Sequence, residues 1–405
     1  EIILGARVLG FKRSFDKAAS WQPKLGRQFV ATMLQRSAVV PGTRSQVRDG
    51  AILFDVAVDR RRGTLYAVWQ ESRFSSSGHP AIAFTMSRNN GNTWTKPMRV
   101  NRTPKNPGQQ FREQAFTASV HVADSGLVGV SYYDFRNDTD DPSGLTDSWL
   151  VWCHPFASDC SRSDRWKDEA RLTEESFDIT LAPFAGGLFL GDYVGLSSAG
   201  ADFIALFTQP HGDDGASAFM RRVMIEERVE PGGAGFWKHQ VKVALDGRGR
   251  GHVDGIGLSE ALRDIKALYN VLDHVQGLDQ LFALLMPEGA VDLRIQAVRQ
   301  LTALLLNLTT ERLPPFFDVG GGRSVVDSIG MIIGVLDDPE TTYNDLEAAK
   351  NLAEAINQGE FPIDPSIGTS LGSGGTVRAP RQEGLPPAED DGGRQLTEVE
   401  QVVID

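Results

Sequence analysis

Two short segments place an acid and an arginine two residues apart, Glu71-Ser72-Arg73 and Asp134-Phe135-Arg136. Two more segments mix charge with an aromatic ring, Phe111-Arg112-Glu113 and Gly191-Asp192-Tyr193. A guanidinium is a planar fork of donors that matches a carboxylate bidentately, so Arg73, Arg112 and Arg136, if clustered, would clamp an acidic group. Yet an acid and an arginine two apart on one strand point to the same side and can simply pair with each other or with a neighbouring sheet. The spacing is compatible with both outcomes.

Other chemistry has less support. Asp138 to Asp147 is acid-rich and a weak Ca²⁺ candidate, but its spacing does not match an EF-hand loop, and a solvated loop is the simpler reading. The histidines form no His-Glu-x-x-His pair, so neither zinc hydrolysis nor another metal or cofactor is expected. Gly247-Arg248-Gly249-Arg250-Gly251 reads as a linker, since no strand feeding a helix frames it, and no Gly-x-Ser-x-Gly elbow occurs. The net charge of −12 argues against nucleic acid as a partner, which needs basic surface. No run of 18 or more apolar residues suggests a membrane span. Cys153 and Cys160 are the only cysteines, and a bridge between them would suit an exported protein, secreted or held at the cell surface.

The elements that must position these groups change character along the chain. Up to about 248, apolar residues alternate in short runs separated by turn signals. Leu53–Asp59, Leu65–Gln70, Ala81–Met86 and Met98–Arg102 form one four-strand unit. Thr117–Val122, Leu127–Tyr133, Trp149–Cys153 and Ala170–Thr173 form a second. Tyr193–Ser197, Phe203–Thr208, Phe219–Ile225 and Lys238–Val243 form a third. Residues 1–48 hold one strand near Ala6–Arg13 and then a polar loop. Trp21, Trp94, Trp166 and Trp237 are spaced by 73, 72 and 71 residues, as in an array of similar units. From about Gly251 the period becomes helical. Leu258 to Val275 and Val291 to Leu308 form apolar stripes. Ser324 is placed to cap a third helix, and Asn344 with Glu347 a fourth that ends at Gly359. Residues 363–405 are rich in Gly, Pro and acid and read as disordered.

Ser87-Arg88-Asn89-Asn90-Gly91-Asn92-Thr93-Trp94 lies between two of these strands. Asn89 can close an Asx-turn, Gly91 tolerates positive φ, and Trp94 anchors the turn. Ser14, Asp16 and Trp21 repeat the pattern, with Ala18 at the glycine position. The motif resembles the Asp-box (BNR repeat) of the sialidase-like β-propellers, with Asn89 where that box has Asp. Phrases such as Asp55 to Asp59, Leu65 to Trp69, Tyr132 to Arg136 and Phe189 to Tyr193 are similar to exported bacterial proteins of that group, commonly described as exo-sialidases.

The resemblance implies a mainly β fold. Residues 1–248 would be a partial propeller of three blades plus part of a fourth, whose remainder is expected upstream. An α-helical domain over 252–362 and the disordered tail would follow. It also implies a glycan or glycoconjugate as partner, with the loops between second and third strands, and between sheets, forming the site. In sialidases three arginines hold the sugar carboxylate, a Tyr activated by a Glu is the nucleophile, and an Asp is the acid and base. Arg73, Arg112 and Arg136 would be the clamp. Tyr193, Tyr133, Glu71, Glu113, Asp134 and Asp192 are residues of the required types. The early Phe-Arg-Ile-Pro motif of the family does not occur in these residues. The leading expectation from the resemblance is a glycan-directed propeller of the exo-α-sialidase type, a glycoside hydrolase releasing terminal sialic acids; the alternative is a non-catalytic extracellular carbohydrate- or protein-binding propeller with a helical spacer or docking module. Oligomeric state is not legible.

Overall fold

The computed structural model describes residues 2–3, 6–49, 51–105, 108–139, 144–225, 229–249, 251–286 and 292–363. The expected disordered tail lies outside the described residues except at Ile363. Among the described residues the fold is antiparallel sheet followed by six α-helices. No helix among the described residues is long and apolar enough to cross a membrane.

Sheet I has three strands, β1 (Ile2–Ile3), β2 (Ala6–Phe11) and β3 (Gln28–Met33). Sheet II is a four-stranded meander of β4 (Phe54–Asp59), β5 (Thr64–Glu71), β6 (Ala81–Ser87) and β7 (Met98–Arg99). Sheet III comprises β8 (Ala115–Val122), β9 (Val128–Asp134), β10 (Leu145–Cys153) and β11 (Asp168–Arg171), with β12 (Phe177–Asp178) also paired to β10. Sheet IV has three strands, β13 (Gly195–Ala199), β14 (Asp202–His211) and β15 (Asp214–Val223). The first strands are neighbours, β4 beside β8 and β8 beside β13. The sheets therefore succeed one another around their leading edges, with side chains packed in the layers between them. Gly129 in sheet III shows how close these layers come: a Cβ there would stand 2.6 Å from the Phe203 ring of sheet IV.

The two box turns share one construction. Ser87 Oγ accepts from Gly91 N at 2.9 Å, and Asn89 Oδ1 accepts from Thr93 N at 2.8 Å. In sheet I, Ser14 Oγ accepts from Ala18 N at 2.7 Å, and Asp16 Oδ1 accepts from Ser20 N at 2.7 Å. Ala18 takes the positive φ of 70° that Gly91 takes at 81°. Phe11 of sheet I meets Trp94 edge-on at 5.9 Å, so one box joins the two sheets.

Hydrogen bonds from Ser20 and Ser14 hold the Asp16 carboxyl down at about 2. Its folded value lies below the unfolded one near 4, so its stabilisation is complete above about pH 4 and is lost as the pH falls through about 2. Melts of the wild type and Asp16→Asn are expected to differ at about pH 6 and to converge toward about pH 2. A gap that stays constant would remove the carboxylate from the account.

The tryptophan array ends before its fourth member. Trp21 and Trp94 belong to boxes, and Trp166 precedes β11 while donating to Cys160 O at 3.0 Å. Trp237 instead sits in a helix, α1 (Ala234–Asp246), so the strand expected at Lys238–Val243 is helical and the helical part starts before Gly251. Lys238-His239-Gln240-Val241-Lys242-Val243 alternates well enough to read as a strand. Burial of Ala234, Trp237, Gln240 and Val241 on one side shows that the 3.6-residue period prevails. Gly233 and Gly247 bound it, Gly247 with φ 62°. Sheet IV consequently has no fourth strand among the described residues. Sheet I also gains β3 inside the expected polar loop.

The remaining helices are α2 (Gly255–Tyr269), α3 (Leu278–Leu285), α4 (Leu293–Thr309), α5 (Val325–Asp337) and α6 (Tyr343–Gln358). A two-stranded ribbon, β16 (Asp318–Gly320) and β17 (Arg323–Ser324), precedes α5. Ser324 caps α5 in a capping box with Asp327. The box on α6 is Thr342 with Asp345, not Asn344 with Glu347, because Asn344 is already within the helix. Gly359 ends α6 in the left-handed conformation.

From the described part of the chain before α1, the helical core takes in Phe156. It lies in the short loop closed by the Cys153–Cys160 disulfide. Its ring meets Phe316 edge-on at 4.7 Å and carries the Arg62 guanidinium at 3.6 Å, while its carbonyl accepts from the Tyr269 hydroxyl at 3.0 Å. Arg165 adds ion pairs to Glu260 (2.6 Å) and Asp264 (3.1 Å). The helices thus dock on the side formed by the turns between first and second strands and by the cysteine loop.

Candidate functional site

The opposite side is built from the connections between sheets. The run from β3 to β4 threads across it: Leu34 O accepts from Ser72 N, Arg36 O from Gln70 Nε2, and Val39 exchanges two hydrogen bonds with the buried Gln114 amide. Farther on, Val47 bridges Leu188, ahead of β13. These crossings gather the ends of β5 and β9 and the loops before β8 and β13 onto one face. That face carries the acids and arginines expected of a sugar site, Glu71, Arg73, Arg112, Glu113, Asp134, Arg136 and Asp192.

Gathering does not leave them free. Glu71 is fully buried. It accepts from Leu34 N at 3.1 Å, Trp69 Nε1 at 3.0 Å, Arg73 N at 3.1 Å and Arg73 Nη2 at 2.8 Å. Arg73 also donates to Thr32 O. Asp134, equally buried, accepts from Thr103 Oγ1 at 2.6 Å and Arg136 Nε at 2.6 Å. Arg136 then forks onto Glu169, at 2.6 and 2.8 Å, and lies 3.8 Å over the Trp149 ring. Burial lifts the Asp134 carboxyl to about 6 against the pull of Arg136 and Thr103. Arg112 stands 3.8 Å from Asp138. The clamp expected of Arg73, Arg112 and Arg136 is therefore not open in this structure, since each arginine faces a carboxylate of its own chain. Tyr133 is buried with its hydroxyl donating to Thr208 O at 2.8 Å, which makes it a bracket between sheets III and IV. Glu113 lies half-buried at the turn before β8.

In the Asp138 to Asp147 stretch, Asp138 accepts from Leu145 N, and Asp147 is taken up by Arg171, Thr173, Asn137 and Ser176. Residues 140–143 of it lie outside the described residues. No group of three metal-ligating side chains converges among the described residues.

Asp192 and Tyr193 are different. They line a cleft of about 370 Å³ with Arg48, Asp49, Ile52 and Leu53, which continues into a recess of about 90 Å³ reaching Asp55, Gln70, Thr117 and Ser119. The Tyr193 side chain is 73% exposed. Asp192 meets Arg48 Nη2 at 3.2 Å, and the same guanidinium lies 4.6 Å over the Phe189 ring. Asp49 is buried, and burial pushes its carboxyl above the usual range although Ala38 N and Gln70 Nε2 donate to Oδ2 at 2.5 and 2.6 Å. Asp55 accepts from Ser119 Oγ at 2.6 Å. The cleft and recess hold three aspartates and one arginine.

The backbone is strained at this point. Thr117 has φ 49°, and the β8–β9 register shifts between Phe116 and Ser119. A β-branched residue at positive φ is a true outlier, and bulges of this kind re-aim side chains beside functional sites. Here the Thr117 hydroxyl donates to Asp49 O at 2.9 Å. Asp49, Arg48, Gln70 and Thr117 were not singled out from the sequence. The contacts that join them to the site span 21 residues for Asp49 with Gln70, 68 for Asp49 with Thr117 and 144 for Arg48 with Asp192, and no local pattern marks them.

No protein-family model matches this chain, and no curated protein does. Among solved structures, a Hadza microbial sialidase superposes with TM-score 0.31 and 13% identity over 53% of this chain and 38% of that one. A leech intramolecular trans-sialidase superposes at 0.26 and 10%, over 54% and 28% of the two chains. A thermostable family-43 glycoside hydrolase superposes at 0.25 and 10%, over 40% and 47%. The chain spans less than half the length of each of these three. Overlays this partial leave the chemistry of the cleft to its own residues.

Proposed function

We propose that this chain is a glycan-directed β-propeller segment whose inter-sheet loop face binds a neutral sugar in the Tyr193 cleft, as a secreted or cell-surface binding module. The observation that carries the reading is the cleft itself. An exposed aromatic ring stands beside carboxylates and an amide that are already oriented by buried hydrogen bonds. An aromatic face takes the apolar side of a sugar ring, while fixed polar groups take its hydroxyls. Three aspartates against one arginine disfavour an acidic sugar. The arginines that would have held a sugar carboxylate are occupied elsewhere on the face.

A catalytic reading has one observation in its favour. Asp49, with its carboxyl raised by burial, lines the same cleft as the partly exposed Asp192, and two carboxyls in unlike environments are the usual acid and base of glycoside hydrolysis. The exo-sialidase form of this reading rests on the resemblance of the boxes and would need a carboxylate clamp that is now self-paired.

Titration of the whole chain with neutral oligosaccharides and with sialyllactose tests both readings. The neutral sugars are expected to bind, and Tyr193→Ala to weaken them by about tenfold, the equivalent of ~1.4 kcal/mol. No binding to any sugar would sink the proposal. Release of fluorophore from a sialoside, abolished by Asp192→Asn, would replace the module by an enzyme.

A further inference from the structure

A cavity of about 350 Å³ opens on the other side of the sheets, where the β4–β5 turn of sheet II meets the ribbon before α5. It shares no lining residue with the Tyr193 cleft. The turn reads Asp59-Arg60-Arg61-Arg62-Gly63, three consecutive arginines in a chain of net charge −12. Arg61 and Arg62 line the cavity together with Arg323 of the ribbon, and two carboxylates, Asp318 and Asp327, line it as well. The turn has a fixed shape. Gly63 N donates to Asp59 O at 2.7 Å, and Asp59 Oδ1 accepts from Arg61 N at 2.9 Å. The Arg61 guanidinium lies 4.0 Å over the Phe316 ring and that of Arg62 lies 3.6 Å over Phe156. The two rings are 4.7 Å apart, centre to centre. A ring face orients a guanidinium and leaves its N–H groups to donate in their own plane.

Among the described residues neither Arg61 nor Arg62 makes an ion pair, and Asp59 attracts Arg62 from beyond ion-pair distance. Burial pulls the Arg62 pKa below its usual value, as for a cation taken from water without a counter-ion. Both guanidinium groups are nonetheless within reach. Arg61 is exposed and Arg62 half-buried, and no nitrogen of Arg62 is among the sealed, partnerless atoms of the described residues. The rest of the wall is already committed. Asp327 closes the capping box with Ser324, and Asp318 Oδ1 accepts from Gly320 N at 2.8 Å. The first N–H groups of α5 are also taken, Val325 N by Phe317 O and Val326 N by Pro315 O. An anion in the cavity would therefore be held by the two arginines and not by the helix end.

We infer that this cavity binds the oxyanion of a sulfate or phosphate monoester, shared between the Arg61 and Arg62 guanidinium groups. A carboxylate has two oxygens, and one guanidinium fork fills both. A monoester oxyanion offers three acceptor oxygens, enough for two forks at once. Bound there, it supplies the negative charge that the turn lacks, and it touches both the sheets and the helical part. The site is separate from the Tyr193 cleft and does not depend on sugar binding there.

The test is calorimetric titration of the whole chain with 4-nitrophenyl sulfate and 4-nitrophenyl phosphate, beside 4-nitrobenzoate and the neutral 4-nitroanisole. One or both esters are expected to bind saturably, about tenfold tighter than the benzoate and the anisole, and the tighter of the two identifies the group the site takes. Arg61→Gln, at an exposed position, should weaken that binding about tenfold. Arg60→Gln removes the same charge from the same turn but not from the cavity wall, and should change it less than about twofold. Tyr193→Ala should leave it unchanged. Absence of saturable ester binding, benzoate binding as tightly as the esters, or equal losses in Arg60→Gln and Arg61→Gln would each overturn the inference.

Discussion

Phe156→Ala is expected to destabilise the chain by about 3–5 kcal/mol, the usual range for removing a buried phenylalanine side chain. The residue is 1% exposed and reaches from the cysteine loop into the helical core. Its loss would remove the edge contact with Phe316 and the face on which Arg62 rests. The loop that presents it is held by Cys153 and Cys160. Replacing both cysteines by serine should, on its own, cost ~2–3 kcal/mol from the freed loop. The two losses should not add, because both act through the placement of one ring. Urea unfolding followed by tryptophan fluorescence and by helical circular dichroism measures them. In the wild type both probes should report one transition, and in Phe156→Ala the helices should unfold first. A loss under about 1 kcal/mol with coincident transitions would mean that the knob does not join the two parts.

Arg136→Ala is expected to cost about 3–5 kcal/mol, because it strands Asp134 and Glu169 together without their shared cation. Asp134 is fully buried and the Glu169 side chain is 14% exposed, so water cannot easily replace the guanidinium. Arg73→Ala should cost less. Glu71 would keep its bonds from Leu34 N, Trp69 Nε1 and Arg73 N, and the lost side chain is 32% exposed. The pair of variants separates two roles for the same residues. Internal fasteners lose stability and leave sugar binding at Tyr193 unchanged under folding conditions. A substrate clamp would show the reverse, a wild-type urea midpoint with lost binding, and that result would reopen the sialidase reading.

Neither expectation could have been drawn from the acid-x-Arg spacing alone. Glu71-Ser72-Arg73 is equally suited to holding a ligand and to holding itself. For Glu71 and Arg73 the choice was made by Thr32 of β3 and by Leu34 just beyond it; for Asp134 and Arg136 it was made by Glu169 from β11 of their own sheet.

What the sequence determined by itself was local. Short apolar runs of six to eight residues between turn signals set sheets II and III: β4 alternates, while β5, β6 and β9 are buried along nearly their whole length. The box chemistry of Ser14 with Asp16 and of Ser87 with Asn89 closes within a few residues, so it could be read before any fold was known. The same holds for the Ser324 cap and the Gly359 stop. Tertiary structure decided the rest. The segment around Trp237 satisfies both periods, and only the helical core that receives Trp237 and Val241 selects one. The cleft of Asp49, Gln70, Thr117 and Tyr193 exists because the β3–β4 connection crosses the face to reach Leu188. Contacts between residues so far apart in the chain leave no periodic trace in the sequence, because what fixes them is the path of the backbone and the burial of carboxylates that no neighbour in sequence can satisfy.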